Sequence, residues 1–353
     1  MGTMTTLAPA SPTLETAALA PADQAALRGR PLGPHLPLGG GLLKAAERAR
    51  FIGATAVQVF ADNPTAWRRR AEPPDRLPEF RDRLAGHGIE FIAVHAPYLI
   101  NLATSDPVMW ERSVATLVSE LRMAQAYGAH AVNVHVGSHV GQGVERGIAQ
   151  IGEGLRAVLA EVAQDPDGPI VVLENSAGQG DGLGCSIEEL AAILEGAARA
   201  GADVQRIGIC LDSAHLWGSG HDLDDSEAFD ALLHRFDAEL GPERLRMLHL
   251  NDSRAAKGSR QDRHEHIGAG RIGRSGLRNL LTHPRLANVP TYLETPGMDS
   301  GYDAVNMERV RRLIADEPLE ELPPEAFRSV GARSRTVPVE PADDRDDGMA
   351  DGA

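Results

Sequence analysis

Eight short apolar runs, mostly rich in β-branched residues, recur along the chain with room for one helix between each pair. This alternation constrains the fold more than any other feature. The runs are LGPHLP (32–37), AVQVF (56–60), EFIAVHA (90–96), AVNVHV (131–136), PIVVLEN (169–175), IGICLD (207–212), LRMLHL (245–250) and PTYLET (290–295). Their length and bounding residues predict strands. Between them lie helical segments such as GLLKAAERARFIG, ERSVATLVSELRMAQAYG with its closing glycine, and SIEELAAILEGAARA, where Ser186 and Glu189 have capping-box spacing. Strands alternating with helices eight times predict a (β/α)8 barrel with its site at the C-terminal face of the strands. The alternative is an open doubly wound sheet, but no glycine-rich phosphate loop follows the first run. At 353 residues, 42% of them hydrophobic, the chain is long enough for either.

The ends of the runs carry the chemistry. Runs three to eight finish at His95, His135, Glu174, Asp212, His249 and Glu294. In a barrel these ends converge on one mouth. Any one of them alone is an ordinary hydrogen-bonded polar residue, but six in succession are not. His215 follows Asp212 by three residues, so both can face the mouth as strand turns into helix. The stretch SRQDRHEHIGAG (259–270) adds Asp262 and His264, one residue apart and on one side of an extended backbone. Four carboxylates gathered together would cost many kcal/mol without cations. Nitrogen and oxygen donors without cysteine suit zinc or manganese. Nine ligands exceed one ion and imply two or three, with Glu174 as the central bridge.

HAPYLINL, NVHVGSH, LENSAGQG, LDSAH, HLNDS, GSRQDRHEHIGAG and LETP, in that order, resemble the endonuclease IV family of metal-dependent apurinic/apyrimidinic endonucleases, from about Leu32 to beyond Glu294. The resemblance implies a TIM barrel with three zinc ions, possibly with manganese, that cleaves duplex DNA 5′ to an abasic site in base excision repair and cleans blocked 3′ ends. It implies three ligand sets: His95, His135 and Glu174; Glu174, Asp212, His249 and Glu294; and His215, Asp262 and His264. Glu174 is then the catalytic bridge. Tyr98 and Leu99 resemble side chains that enter the duplex, while Thr65 and Ala66 stand where some members carry longer wedge residues. His35, His139 and His266 resemble residues that orient a ligand or a phosphate from behind. Ser213 and Ala214 replace a frequent Thr and Cys at positions that are not ligands.

The net charge of −15 argues against nucleic acid only in bulk. Residues 251–271 carry Arg254, Lys257, Arg260, Arg263 and Arg271 against three acids, and WRRR (67–70) adds Trp67, Arg68 and two further arginines. Both follow strands and so lie on the mouth, where a basic rim suits phosphates. The acids concentrate elsewhere: from Arg335 to Ala353 six stand against two arginines. Residues 1–30 and 319–353 read as flexible tails flanking a barrel domain over 31–318, and residues 1–28 and 325–353 are expected to be dispensable for cleavage. No signal-like or membrane-length apolar run occurs. Two cysteines make no disulfide framework, which fits a reducing cytoplasm; the resemblance implies a monomer in a bacterial cytoplasm, working at the nucleoid. Two rival functions are a sugar isomerase or epimerase on the related barrel, which leaves His215, Asp262 and His264 unexplained, and a non-catalytic binder of damaged DNA.

Overall fold

The structure, a computed structural model, describes residues 24–327 except Pro166. All eight expected strands form: β1 (Leu32–Pro34), β2 (Ala56–Val59), β3 (Phe91–His95), β4 (Ala131–His135), β5 (Ile170–Glu174), β6 (Ile207–Asp212), β7 (Leu245–His249) and β8 (Thr291–Leu293). They lie in the order β1-β8-β7-β6-β5-β4-β3-β2, with every neighbouring pair parallel. Between β1 and β2 the wall is drawn together by Thr55 N–H to Leu32 O at 2.9 Å and Leu36 N–H to Gln58 O at 2.7 Å. That approach requires Gly33, because a Cβ there would stand 1.7 Å from Ala56 O. The result is a TIM barrel rather than an open sheet.

Helices α1 (Leu42–Phe51), α2 (Leu77–Gly86), α3 (Pro107–Tyr127), α4 (Val144–Glu161), α5 (Ile187–Ala200), α6 (Ser213–Ser219), α7 (Ser226–Leu240), α8 (Gly273–Thr282) and α9 (Tyr302–Ala315) surround it. Local signals set their ends. Asp106 caps α3 by accepting from Val108 and Met109 N–H, and Gly128 ends it at φ 68°. Ser186 accepts from Glu189 N–H, while the Glu189 carboxylate reaches back one residue further than a capping box, to Cys185 N–H.

Strand periodicity builds the site. Ala56, Ala93, Ala131, Val172, Cys210, Met247 and Tyr292 point inward and fill the lower barrel. Side chains repeat on one face every two residues. Two positions further along those same strands, or just past them, stand Gln58, His95, Asn133, Glu174, Asp212, His249 and Glu294. An apolar floor thus carries a polar layer at the mouth end. Cys185 and Cys210 are unpaired.

Packed residues continue on both sides of the domain expected over 31–318. Residues 24–27 form a turn beneath the floor, with Leu27 fully buried and Gln24 Nε2–H donating to Ala54 O at 2.7 Å and His87 O at 3.1 Å. Beyond α9, Leu319 packs on the core and Ala326 is fully buried. Isolated apolar residues without periodicity concealed both segments. The rest of the expected tails, 1–23 and 328–353, lies outside the described residues. Among the described residues no helix is long and apolar enough to cross a membrane.

Candidate metal centre

Three groups of donor atoms meet at the mouth, each with its atoms within 4.8 Å of one another: His95, His135 and Glu174; Glu174, Asp212, His249 and Glu294; and Asp212, His215 and His264. The first two coincide with the sets read from the sequence. In the third, Asp212 joins the two histidines, and Asp262 faces both of them, its two carboxylate oxygens 3.2 Å from His215 Nε2 and from His264 Nε2. Glu174 belongs to two groups and is fully buried. Its Oε1 lies 3.2 Å from both His215 Nδ1 and His249 Nδ1, and its Oε2 3.6 Å from His95 Nε2 and 3.8 Å from His135 Nε2.

The donors fit divalent ions. Ligands tetrahedral about zinc stand roughly 3.3 Å from one another, close to several of these separations. Outer partners also fix most of the imidazoles. His95 Nδ1 meets Ala96 O at 2.7 Å, His215 Nδ1 meets Asn175 O at 2.9 Å, His264 Nδ1 meets Glu294 O at 3.0 Å, and His249 Nε2 meets Gln58 Oε1 at 3.0 Å. Carbonyl oxygens only accept, so the proton lies on that nitrogen and the other is turned toward the site. His264 Nε2 is buried and turned into the site, 3.2 Å from Asp262 Oδ1 and 3.7 Å from Asp212 Oδ2.

Charge is concentrated accordingly. Burial pushes the Glu174 carboxyl up, but the neighbouring imidazoles of His135, His249 and His215 hold it well below the usual carboxylate range. Burial likewise lowers His264, while Asp212 and Asp262 outweigh it and raise the imidazole to about 9.

The chain as a whole matches a known scaffold. A family model for xylose isomerase-like TIM barrels matches residues 46–321. A probable endonuclease 4 of Halothermothrix orenii is 38% identical over 281 residues, covering 79% of this chain and 99% of its own. Another from Oleidesulfovibrio alaskensis is 41% identical over 283 residues, covering 80% and 94%. The crystal structure of endonuclease IV from Thermus thermophilus superposes with a TM-score of 0.69 at 34% identity, over 81% of this chain and 99% of that one. The chain belongs to the endonuclease IV family. A D-tagatose 3-epimerase-like protein, at 17% identity and a TM-score of 0.59 over 81% of this chain and 97% of its own, shares the fold alone.

Around these donor groups the other expected residues divide. Tyr98 is 59% exposed, and its ring lies 5.6 Å from that of His95; Leu99 beside it is half-buried. Both line a cavity of about 320 Å³ that also reaches Asn101, Ser138, His215 and Asp262. Arg68, Arg254 and Arg260 are exposed on mouth loops, and Trp67 is half-buried. Lys257 is exposed, and its ammonium pairs with Asp222 at 2.5 Å over the Trp217 ring. Two further arginines of the basic rim are also engaged, since Arg69 pairs with buried Glu120 at 3.0 Å and Arg70 lies 3.7 Å from Asp62. His35 does stand behind the site, its Nδ1 accepting from Gln58 Nε2. His139 and His266 turn to other partners. His139 Nδ1 accepts from Gly143 N–H within its own loop, and His266 turns away toward Asn306 and Ala326.

Sequence reading missed the amides that hold the carboxylates. Asn133 Nδ2–H donates to Glu174 Oε2 at 2.5 Å, Asn251 Nδ2–H to Asp212 Oδ2 at 2.6 Å, and Gln58 Nε2–H to Glu294 Oε1 at 2.7 Å. The signal was present in AVQVF and AVNVHV, where one amide interrupts an apolar run at an inward position.

Proposed function

We propose that this chain is a DNA-repair endonuclease that hydrolyses the phosphodiester 5′ to an abasic site, leaves a 3′-hydroxyl, and also removes blocking groups from 3′ ends. The observation that carries the reading is the overlap of three donor groups at Glu174 and Asp212 in a member of the endonuclease IV family. Three divalent ions, chiefly zinc and possibly manganese, would be held by the three groups, with Asp262 completing the third. Bound ions would supply charge stabilisation for a phosphate and an acidified water at neutral pH.

The chain's own residues do the rest. Gln58, Asn133 and Asn251 each donate to one oxygen of Glu294, Glu174 and Asp212 and so fix how these carboxylates are turned in the site. The cavity beside Tyr98 is at the small end of ligand clefts, which suits one sugar-phosphate turned out of the duplex. The exposed Tyr98 ring stands where it can stack in the gap left behind, while Arg254 and Arg260 border the path of the backbone. A sugar epimerase would have no use for His215, Asp262 and His264.

The direct test is a duplex with one abasic site, incubated with enzyme and mapped by gel at both ends. The expected product carries a 3′-hydroxyl on the 5′ side of the lesion. An intact duplex after incubation with metal-loaded protein would overturn the reading. Elemental analysis of protein purified without chelator should find three ions per chain, and one ion in active protein would reject the trinuclear arrangement.

A further inference from the structure

The helices of a (β/α)8 barrel start where its strands finish, so Tyr302 lies at the mouth end of α9 and Ala315 at the opposite end. Residues 316–327 then bring the chain back. Phe327 lies 6.0 Å, ring to ring, from His266, which lies 5.0 Å from Tyr302. The return therefore ends at the catalytic face, against the loop that carries Asp262 and His264. Its last turn, Pro324–Phe327, falls beyond residue 321, where the match to the family ends.

The grip is on residues 266–268. His266 is fully buried and both its nitrogens are used: Nε2–H donates to Ala326 O at 3.2 Å, and Nδ1 accepts from Asn306 Nδ2–H at 3.0 Å. Ile267 N–H donates to Asn306 Oδ1 at 2.9 Å. Arg309 ties both sides, donating through Nε to Ile267 O and through Nη1 to Glu320 O at 2.6 Å. Leu319 lies so close over Gly268 that a Cβ there would come within 2.3 Å of its Cδ1. Upstream, the loop is anchored by Gly258 N–H to Trp217 O at 3.0 Å and Arg260 N–H to Gly218 O at 2.9 Å.

We propose that residues 317–327 are a latch on this loop, and that His266 is the positioning residue through which the latch holds Asp262 and His264 in place. An extended loop offering two ligands to an ion must lose conformational freedom, which weakens binding unless the loop is ordered beforehand. The latch orders it. The consequence for metal rests on the proposed function, whereas the latch itself is a matter of packing and is testable without metal.

The test compares wild type with His266→Ala, His266→Gln and Leu319→Ala, the last a half-buried position that serves if His266→Ala does not fold. Hydrogen exchange is read on metal-free protein at the amides of Arg254, Gly258 and Arg260. These should exchange at least tenfold faster in His266→Ala and Leu319→Ala, with the amides of β3 to β6 unchanged. His266→Gln, which can still donate to Ala326 O, should recover most of the protection. In metal-loaded protein, His266→Ala should hold one ion fewer than wild type. Loop exchange that does not change, or that rises equally across the barrel strands, overturns the latch. A loosened loop in a protein whose wild type binds no ion would leave the latch standing and defeat the metal reading instead.

Discussion

Two regions of the mouth supply the proposed ligands, and they are held in different ways. His95, His135, Glu174, Asp212, His249 and Glu294 sit at or just past the ends of parallel strands, so the register of the sheet places them. Asp262 and His264 stand on a long excursion between β7 and α8. Only a two-residue antiparallel pairing, Asp252–Ser253 with His264–Glu265, gives it regular structure. Its order comes from side chains. Asp252, fully buried, accepts from Ser253 N–H at 2.7 Å, Gly270 N–H at 2.9 Å and Ile272 N–H at 3.0 Å, and closes the base of the loop. Strand-borne ligands inherit the stability of the barrel, whereas loop-borne ligands depend on a few particular bonds. Local stability varies in this way wherever few buried contacts hold a segment.

The difference can be broken most severely at the strand-borne bridge. Glu174→Gln keeps the shape and removes a charge shared by two donor groups. Turnover on an abasic duplex should fall by at least ~10³, about 4 kcal/mol in the barrier. Near wild-type turnover with full metal content would show that the bridge carries nothing.

Asp252→Ala attacks the loop and leaves every proposed ligand intact. Freeing several buried N–H groups should cost about 3 kcal/mol in local stability. Exchange of the Gly270 and Ile272 amides should rise, and a chelator should strip one ion ahead of the others. If all ions leave together in wild type and variant alike, the two regions are not independent.

Tyr98→Ala probes entry of the substrate rather than its chemistry. Cleavage at an internal abasic site should slow by roughly 10–100-fold, ~1.4–2.7 kcal/mol. Removal of a blocking group from a frayed 3′ end, where little must be unstacked, should change much less. Equal losses in both activities would make Tyr98 a support of the site.

The smallest effect is expected at the chain ends. Removing residues 328–353 should leave cleavage within about twofold, with slightly tighter DNA binding at low salt, since net negative charge is removed. Cutting at 325 instead also takes away Ala326 O, the partner of His266. Cutting after 28 takes away Leu27, a loss on the order of the 2–5 kcal/mol of a buried leucine truncation. Thermal midpoints of the paired truncations measure the difference, and equal midpoints would mean that these packed residues add nothing.

The amino-acid order alone determined the barrel and where along it the proposed ligands stand. Strand pattern, strand ends and the two-residue repeat are local properties, readable wherever AVNVHV or IGICLD occurs, and a barrel turns every strand end toward one axis. Tertiary structure decided what holds those ligands and which charges are free. Gln58 meets Glu294 across 236 residues of chain, and Asn133 meets Glu174 across 41. Arg69 reads as part of a basic rim, but packing brings buried Glu120 to it. His266 reads as an outer partner of the metal site, but its ring turns the other way, toward a segment sixty residues further on. A side chain's type fixes what it can bond to; its partner is chosen only by the fold that brings distant strands and loops within about 3 Å.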